Sequence, residues 1–185
     1  MFSENEMWIL SYYRYSEISG ATFFGALTRM FRSGSIGHNL TKHFADESQH
    51  AWLWTQCIHD CGHEPLAIAK TYQDQYIEEI GLPVNIMEIL AITQIFERRV
   101  IHQYARHAKL DRLDPRIHQT FTRILQDEKW HIHWVGQALH ELAPQYGQDA
   151  IDGTLRRYRE ADARIYARTL AEHEERLSHL FTPRE

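Results

Sequence analysis

Two short segments of the chain read almost alike, Asp46-Glu47-Ser48-Gln49-His50 and Asp127-Glu128-Lys129-Trp130-His131. Each carries Glu-x-x-His. On an α-helix residues three apart share a face, so each segment aims one carboxylate and one imidazole at a common point. Each is preceded by a solitary glutamate at nearly the same distance, Glu17 standing 30 residues before Glu47 and Glu97 standing 31 before Glu128. Oxygen donors with one imidazole apiece are a donor set for a transition metal. A single Glu-x-x-His arises by chance in a chain this rich in Glu and His; the signal is the repeat of the pair together with its partner.

The elements that would position these groups follow from apolar periodicity. Ile9, Tyr13, Gly20, Phe24, Leu27 and Phe31 recur at helical spacing from about Glu4 to Arg32, with Glu17 inside that stripe. A second helix is expected from Gly37 to about Cys61, striped by Leu40, Phe44, Glu47, Ala51, Trp54 and Ile58. Gly62-His63-Glu64-Pro65 ends it, and the stretch up to Pro83, with one short helical pattern, has the length of a crossover between two hairpins. A third helix from about Val84 to Leu110 carries Glu97 on its apolar face. Asp114-Pro115 supplies an N-cap followed by Pro at the first helical position, and the fourth helix runs to about Leu142. A last, wetter amphipathic helix is expected over about 148–180, with Leu155, Tyr158, Ile165, Leu170, Leu177 and Leu180 as its apolar positions; it reads as a lid, an outer packing helix or a dimer contact. The expected fold is all-α, in a single domain over 1–185 with its core bundle at about 4–142.

Glu17, Glu47, Glu97 and Glu128 all fall on positions the stripes assign to the core, where ionised carboxylates are almost never left uncompensated. No Lys or Arg occupies those stripes. Two divalent cations would set four positive charges against four carboxylates, with His50 and His131 as neutral ligands. An oxygen-rich set with one imidazole per metal suits iron or manganese better than zinc or magnesium.

One Glu from each of two helices and Glu-x-x-His from each of two others is the ligand motif of the ferritin-like di-iron and di-manganese carboxylate proteins, and the chain resembles that superfamily over roughly 4–142. The resemblance implies a ferritin-like four-helix bundle with a long crossover between its second and third helices and an additional C-terminal helix. It implies Glu17 and His50 as terminal ligands of one metal, Glu97 and His131 of the other, and Glu47 and Glu128 as bridges. Asp46 and Asp127 match the aspartate that often precedes the motif glutamate; such a residue fixes a ligand imidazole's tautomer, here expected across the bundle as Asp46 to His131 and Asp127 to His50. Gln49 and Trp130 stand where monooxygenase and desaturase members often carry Arg. The symmetrical ligand set looks more like aldehyde-deformylating oxygenase, the tRNA-modifying hydroxylase, the quinone-pathway hydroxylase, or manganese catalase.

The resemblance implies two iron ions, with manganese or a mixed pair as alternatives, that activate dioxygen to oxidise a small apolar organic substrate with electrons from an external donor. Manganese catalase or peroxidase and ferritin-like iron storage are the alternative functions. Tyr13, Gly20, Ala21, Phe24, Val100, Ile101 and Tyr104, about one turn from Glu17 and Glu97, form the expected pocket. A net charge of −5 gives no basic footprint for nucleic acid. Cys57 and Cys61, four apart, fit neither a redox pair nor a disulfide framework; Cys57, His59, Cys61 and His63 cannot converge on zinc, because alternate helical residues diverge by roughly 200°. His102, His107, His133 and His140 read as surface or supporting histidines, and Trp52, Trp54, Trp130 and Trp134 as packing. The acidic start Met1-Phe2-Ser3-Glu4 is unlike a signal peptide, and no apolar run reaches bilayer length, so a cytoplasmic protein is expected, with a homodimer left open by the wet last helix.

Overall fold

The computed structural model describes residues 3–169 and 171–181. Met1, Phe2 and Leu170, which figure in the reading above, lie outside them. Among the described residues the chain forms eight helices and no strand: α1 (Glu4–Met30), α2 (Gly34–Asp60), α3 (Tyr72–Ile80), α4 (Ile86–His107), α5 (Pro115–Glu141), α6 (Ala143–Tyr146), α7 (Gln148–Thr169) and α8 (Ala171–Phe181). No helix is long and apolar enough to cross a membrane among those residues.

Local sequence sets the starts of these helices. Ser3 caps α1 by accepting from the Glu6 amide, Asn85 caps α4 from Glu88, and Asp114 caps α5 from Arg116 with Pro115 just inside. Thr71 and Asp74 close a reciprocal capping box on α3. Each cap satisfies amides that the first helical turn leaves without intrahelical partners.

Side-chain pairings give the directions. The Phe31–Ser33 turn folds α2 back on α1. Across α2 and α5, His43 meets Trp134, His50 meets Asp127 and Trp54 meets Phe121, so rising numbers on one helix pair with falling numbers on the other. Glu17 with Tyr104 and Tyr13 with His107 show the same antiparallel order for α1 and α4. Since α2 and α4 both run against α1, they run in the same direction, and the chain between them must travel back along the molecule. The segment containing α3 does this. It is pinned by Tyr76 donating to the Tyr158 carbonyl at 2.6 Å and by the Tyr72 amide donating to the Tyr12 hydroxyl at 3.0 Å.

The expected C-terminal helix is described as α7 and α8, on either side of residue 170. α7 packs on α4 and α3, burying Ile151, Tyr158, Ala161 and Ile165; α8 packs on α1, burying His173 and Leu177. Two arginines of α4 add ion pairs, Arg99 to Asp162 on α7 and Arg106 to Glu174 on α8. Of the three roles offered for this wet segment, packing on the outside of the core is the one its contacts show.

The apolar phase expected for α2 needs one correction. Phe44 is 37% exposed, and His43 is fully buried in its place. The inward positions run His43, Glu47, His50, Trp54, Cys57, a regular alternation of four and three; Phe44 lies at the edge, its ring against Gly25 on α1. Likewise Trp52 is 53% exposed, and His107, read as a surface or supporting residue, is fully buried.

Candidate metal centre

Glu17, Glu47, Glu97 and Glu128 each stand near the midpoint of a long helix, on α1, α2, α4 and α5, and all four are buried. His50 and His131, one turn beyond the two α2 and α5 glutamates, are fully buried. The donor atoms gather in two groups. Glu17, Glu47, His50 and Glu128 lie within 4.8 Å of one another, as do His43, Glu47, Glu97 and His131. Glu47 belongs to both. Glu128 divides its oxygens between them, Oε1 lying 3.3 Å from His50 Nδ1 and Oε2 3.3 Å from His131 Nδ1. Glu17 Oε2 is 3.6 Å from His50 Nδ1 and Glu97 Oε2 is 3.5 Å from His131 Nδ1.

The far side of each histidine ring is held from the opposite helix. Asp127 Oδ2 lies 3.2 Å from His50 Nε2, and Asp46 Oδ2 lies 3.2 Å from His131 Nε2. A carboxylate accepts only, so each Nε2 carries a proton; when either ring is neutral, its Nδ1 is the bare nitrogen, turned toward the glutamates. Lys42 also pairs with Asp46. On α4, the Tyr104 hydroxyl donates to Glu17 Oε1 and accepts from Trp54 Nε1 at 3.1 Å.

Four buried carboxylates are costly, because removing an ion from water costs several kcal/mol even after relaxation. Among the described residues their ion-pair partners are histidines alone. Protons therefore carry the compensation in the metal-free chain. Burial, aided by the three other glutamates, raises Glu47 well above the usual carboxylate range. Burial alone would lower His50 and His131, but their bonds to Asp127, Asp46 and the glutamates outweigh it; His50 rises far above its ordinary value and His131 is pushed up to about 12. Glu97 is held well below its usual range against the effect of burial, by His43 and His131. His43 itself is lowered, chiefly by burial. The anionic Glu97 thus rests on the charge of His131, with His43 Nε2 3.1 Å from its Oε1.

The fit to metal ions rests on atoms without partners. His50 Nδ1, Glu128 Oε1 and His43 Nε2 are buried and make no hydrogen bond, although polar groups in protein interiors are almost always paired. The first two point into the cluster, 3.3 Å apart. An oxygen-rich set with one Nδ1 at each end suits a pair of first-row divalent ions; the residues do not select which metal.

A cavity of about 730 Å³, part of it open solvent at the mouth, reaches the four glutamates from the α1 and α4 side. Phe23, Phe24, Ile77, Ile92, Phe96 and Val100 give it an apolar wall, and Ser16, Ser19 and Thr93 a few hydroxyls. Gly20 matters here: a Cβ on it would stand 2.2 Å from Glu47 Oε2, so its bare backbone lets that carboxylate lie against α1.

The structure thus brings Glu17, Glu47, His50, Glu97, Glu128 and His131 together, with Asp46 and Asp127 behind the histidines. Of the expected pocket residues, Gly20, Phe24 and Val100 line the cavity. Tyr13, Ala21, Ile101 and Tyr104 do not. Tyr13 and Tyr104 lie one turn to the other side of Glu17, in an aromatic floor with Trp54 and Phe121, their rings 4.7 Å apart. The residue missed from sequence is His43. Its spacing of four to Glu47 and seven to His50 puts all three on one helical face, a signal obscured by placing Phe44 in the apolar stripe. Cys57 and Cys61 are free thiols, and His59 beside them is 78% exposed, away from the cluster.

No protein-family model, curated protein or solved structure matches the chain.

Proposed function

We propose that the chain is a di-iron oxidoreductase on a ferritin-like bundle, using dioxygen and an external electron donor to oxidise a small, largely apolar organic substrate. The observation that carries this reading is the pair of four-donor groups sharing Glu47, with an apolar cavity opening onto the same carboxylates. Glu17 with His50 and Glu97 with His131 would each hold one metal, with Glu47 and Glu128 between them. Two iron ions there supply one-electron redox chemistry and Lewis acidity that side chains lack.

The residues divide the remaining work. Asp46 and Asp127 keep the His131 and His50 protons on Nε2, so that both Nδ1 atoms stay available as donors. Tyr104 holds one oxygen of Glu17 and leaves the other facing His50. Phe23, Phe24 and Phe96 exclude water from the carboxylates and offer an apolar substrate its contact surface. The apolar wall favours an organic substrate over hydrogen peroxide, which needs no such surface.

Anaerobic loading with Fe(II), followed by metal analysis and oxygen uptake, tests the reading. The expected result is about two iron ions per chain, release of protons on loading as His50 and His131 become neutral, and oxygen consumption on reduction. Retention of less than about half an iron per chain overturns it. Rapid peroxide disproportionation by manganese-loaded protein without a reductant moves the function to a catalase, and a large cage with a mineral core moves it to storage.

A further inference from the structure

His43 lies among the donor atoms, yet its two nitrogens face opposite ways. Nδ1 is 3.2 Å from Trp134 Nε1. An indole N–H only donates, so Nδ1 accepts and carries no proton, and the single proton of a neutral ring is on Nε2. That atom faces Glu97 Oε1 at 3.1 Å and Glu47 Oε1 at 3.3 Å. It sits between the two oxygens without a straight bond to either. The ring cannot easily turn to exchange its atoms, because it is stacked between Phe24 at 3.8 Å and His131 at 3.6 Å.

Distance alone would make His43 a ligand, its donor atom falling in one of the two four-residue groups. Proton placement argues otherwise. A metal on Nε2 would force the proton to Nδ1, where it would meet the Trp134 N–H head-on. Each buried donor left without an acceptor costs about 1–3 kcal/mol. In the neutral ring the neighbours thus impose one tautomer, protonated at Nε2, on His43, His50 and His131 alike. In neutral His50 and His131 the bare nitrogen faces the glutamates; in His43 the protonated one does.

We propose that His43 is a positioning residue and not a seventh metal ligand: its Nε2–H, oriented by Trp134, holds Glu97 Oε1 and Glu47 Oε1, leaving Glu97 Oε2 to face the metal beside His131. The proposal rests on the dimetal reading. It makes the two ends of the centre unequal in kind, since an imidazole N–H attends Glu97 at one end and the Tyr104 hydroxyl attends Glu17 at the other.

The test is nitrogen NMR on protein labelled with ¹⁵N-histidine. In metal-free protein the His43 signals, assigned by their loss in His43→Gln or His43→Leu, are expected to show a bare Nδ1 and a protonated Nε2; a proton on Nδ1 overturns the proposal whatever the metal does. Loading with ¹¹³Cd should then give one-bond metal coupling at two Nδ1 atoms, those of His50 and His131. A third coupling, at an Nε2, overturns the role of His43 and leaves the dimetal centre standing. Absence of coupling at every histidine overturns the dimetal reading, while the metal-free tautomer still decides for His43. Gln can donate where His43 does, so His43→Gln should keep cadmium affinity within about threefold while His43→Leu loses about tenfold or more; equal losses in the two variants overturn the positioning role.

Discussion

The centre has two unlike walls. On the α2 and α5 side stand all three histidines, fully buried, with Asp46, Asp127 and Trp134 orienting their rings. On the α1 and α4 side stand Glu17 and Glu97 without histidine, then the aromatic cavity wall and Gly20. Both walls put glutamates at mid-helix, but only one surrounds them with nitrogen donors and only the other leaves space. The difference separates holding from access: under the proposed function the α2 and α5 wall would supply every nitrogen donor to the metals, and the α1 and α4 wall would admit the substrate.

The largest effect that would break this division is at Glu47, the residue shared by both donor groups. Burial and the three other glutamates raise Glu47 well above the usual carboxylate range, toward its neutral form, so Glu47→Gln should leave the metal-free unfolding midpoint unchanged or slightly raised. With free metal about a thousandfold above its Kd the wild type gains about 4 kcal/mol, and the variant should lose most of that. Parallel urea titrations with and without metal read both signs. Asp46→Asn, on the binding wall, should lower metal affinity about 10–100-fold by releasing the His131 tautomer. Val100→Phe, on the opposite wall, should fill the cavity and cut kcat/KM for any organic substrate with metal affinity changed less than about twofold. Competition with a fluorescent chelator measures both variants, and equal loss of metal in the two would erase the distinction between the walls.

A smaller effect belongs to the floor beneath the access wall. His107 and His173 are buried there, and burial lowers them to about 3 and about 4. Their folded pKa lies below the unfolded value of about 6.5. Their contribution is therefore complete above about pH 6.5 and is lost as the pH falls through that window, because the unfolded chain binds the extra protons. From pH 7 to pH 5 each should cost about 2 kcal/mol. His107→Met should remove its share, seen as a smaller difference between urea midpoints at the two pH values.

Much of the binding wall was legible in sequence because helical geometry converts spacing into direction. Glu-x-x-His can only place its two side chains on one face, and the charge of four inward glutamates demands a counterpart. The all-helical architecture and the crossover were readable from caps such as Asp114-Pro115 and from the length between α2 and α4. The access wall was less legible. A residue one turn from Glu17 lies toward either the cavity or the floor, and periodicity assigns Gly20 and Tyr13 to the same stripe without saying which end is open. His43 was hidden for a different reason: a stripe drawn through apolar residues prefers Phe44, whereas burial here follows the polar cluster. The docking of α7 and α8 on different helices depends on long-range pairs such as Arg99 with Asp162, which no local pattern announces.

The crossed aspartates have one more consequence. Asp46 belongs to the first hairpin and aims a histidine of the second; Asp127 belongs to the second and aims a histidine of the first. Neither half of the chain contains a finished donor set of its own. In the proposed centre, metal capture would therefore be a coincidence detector for folding: a half-assembled chain presents carboxylates and imidazoles without their aim, and a metal ion would be held firmly only after both hairpins have met.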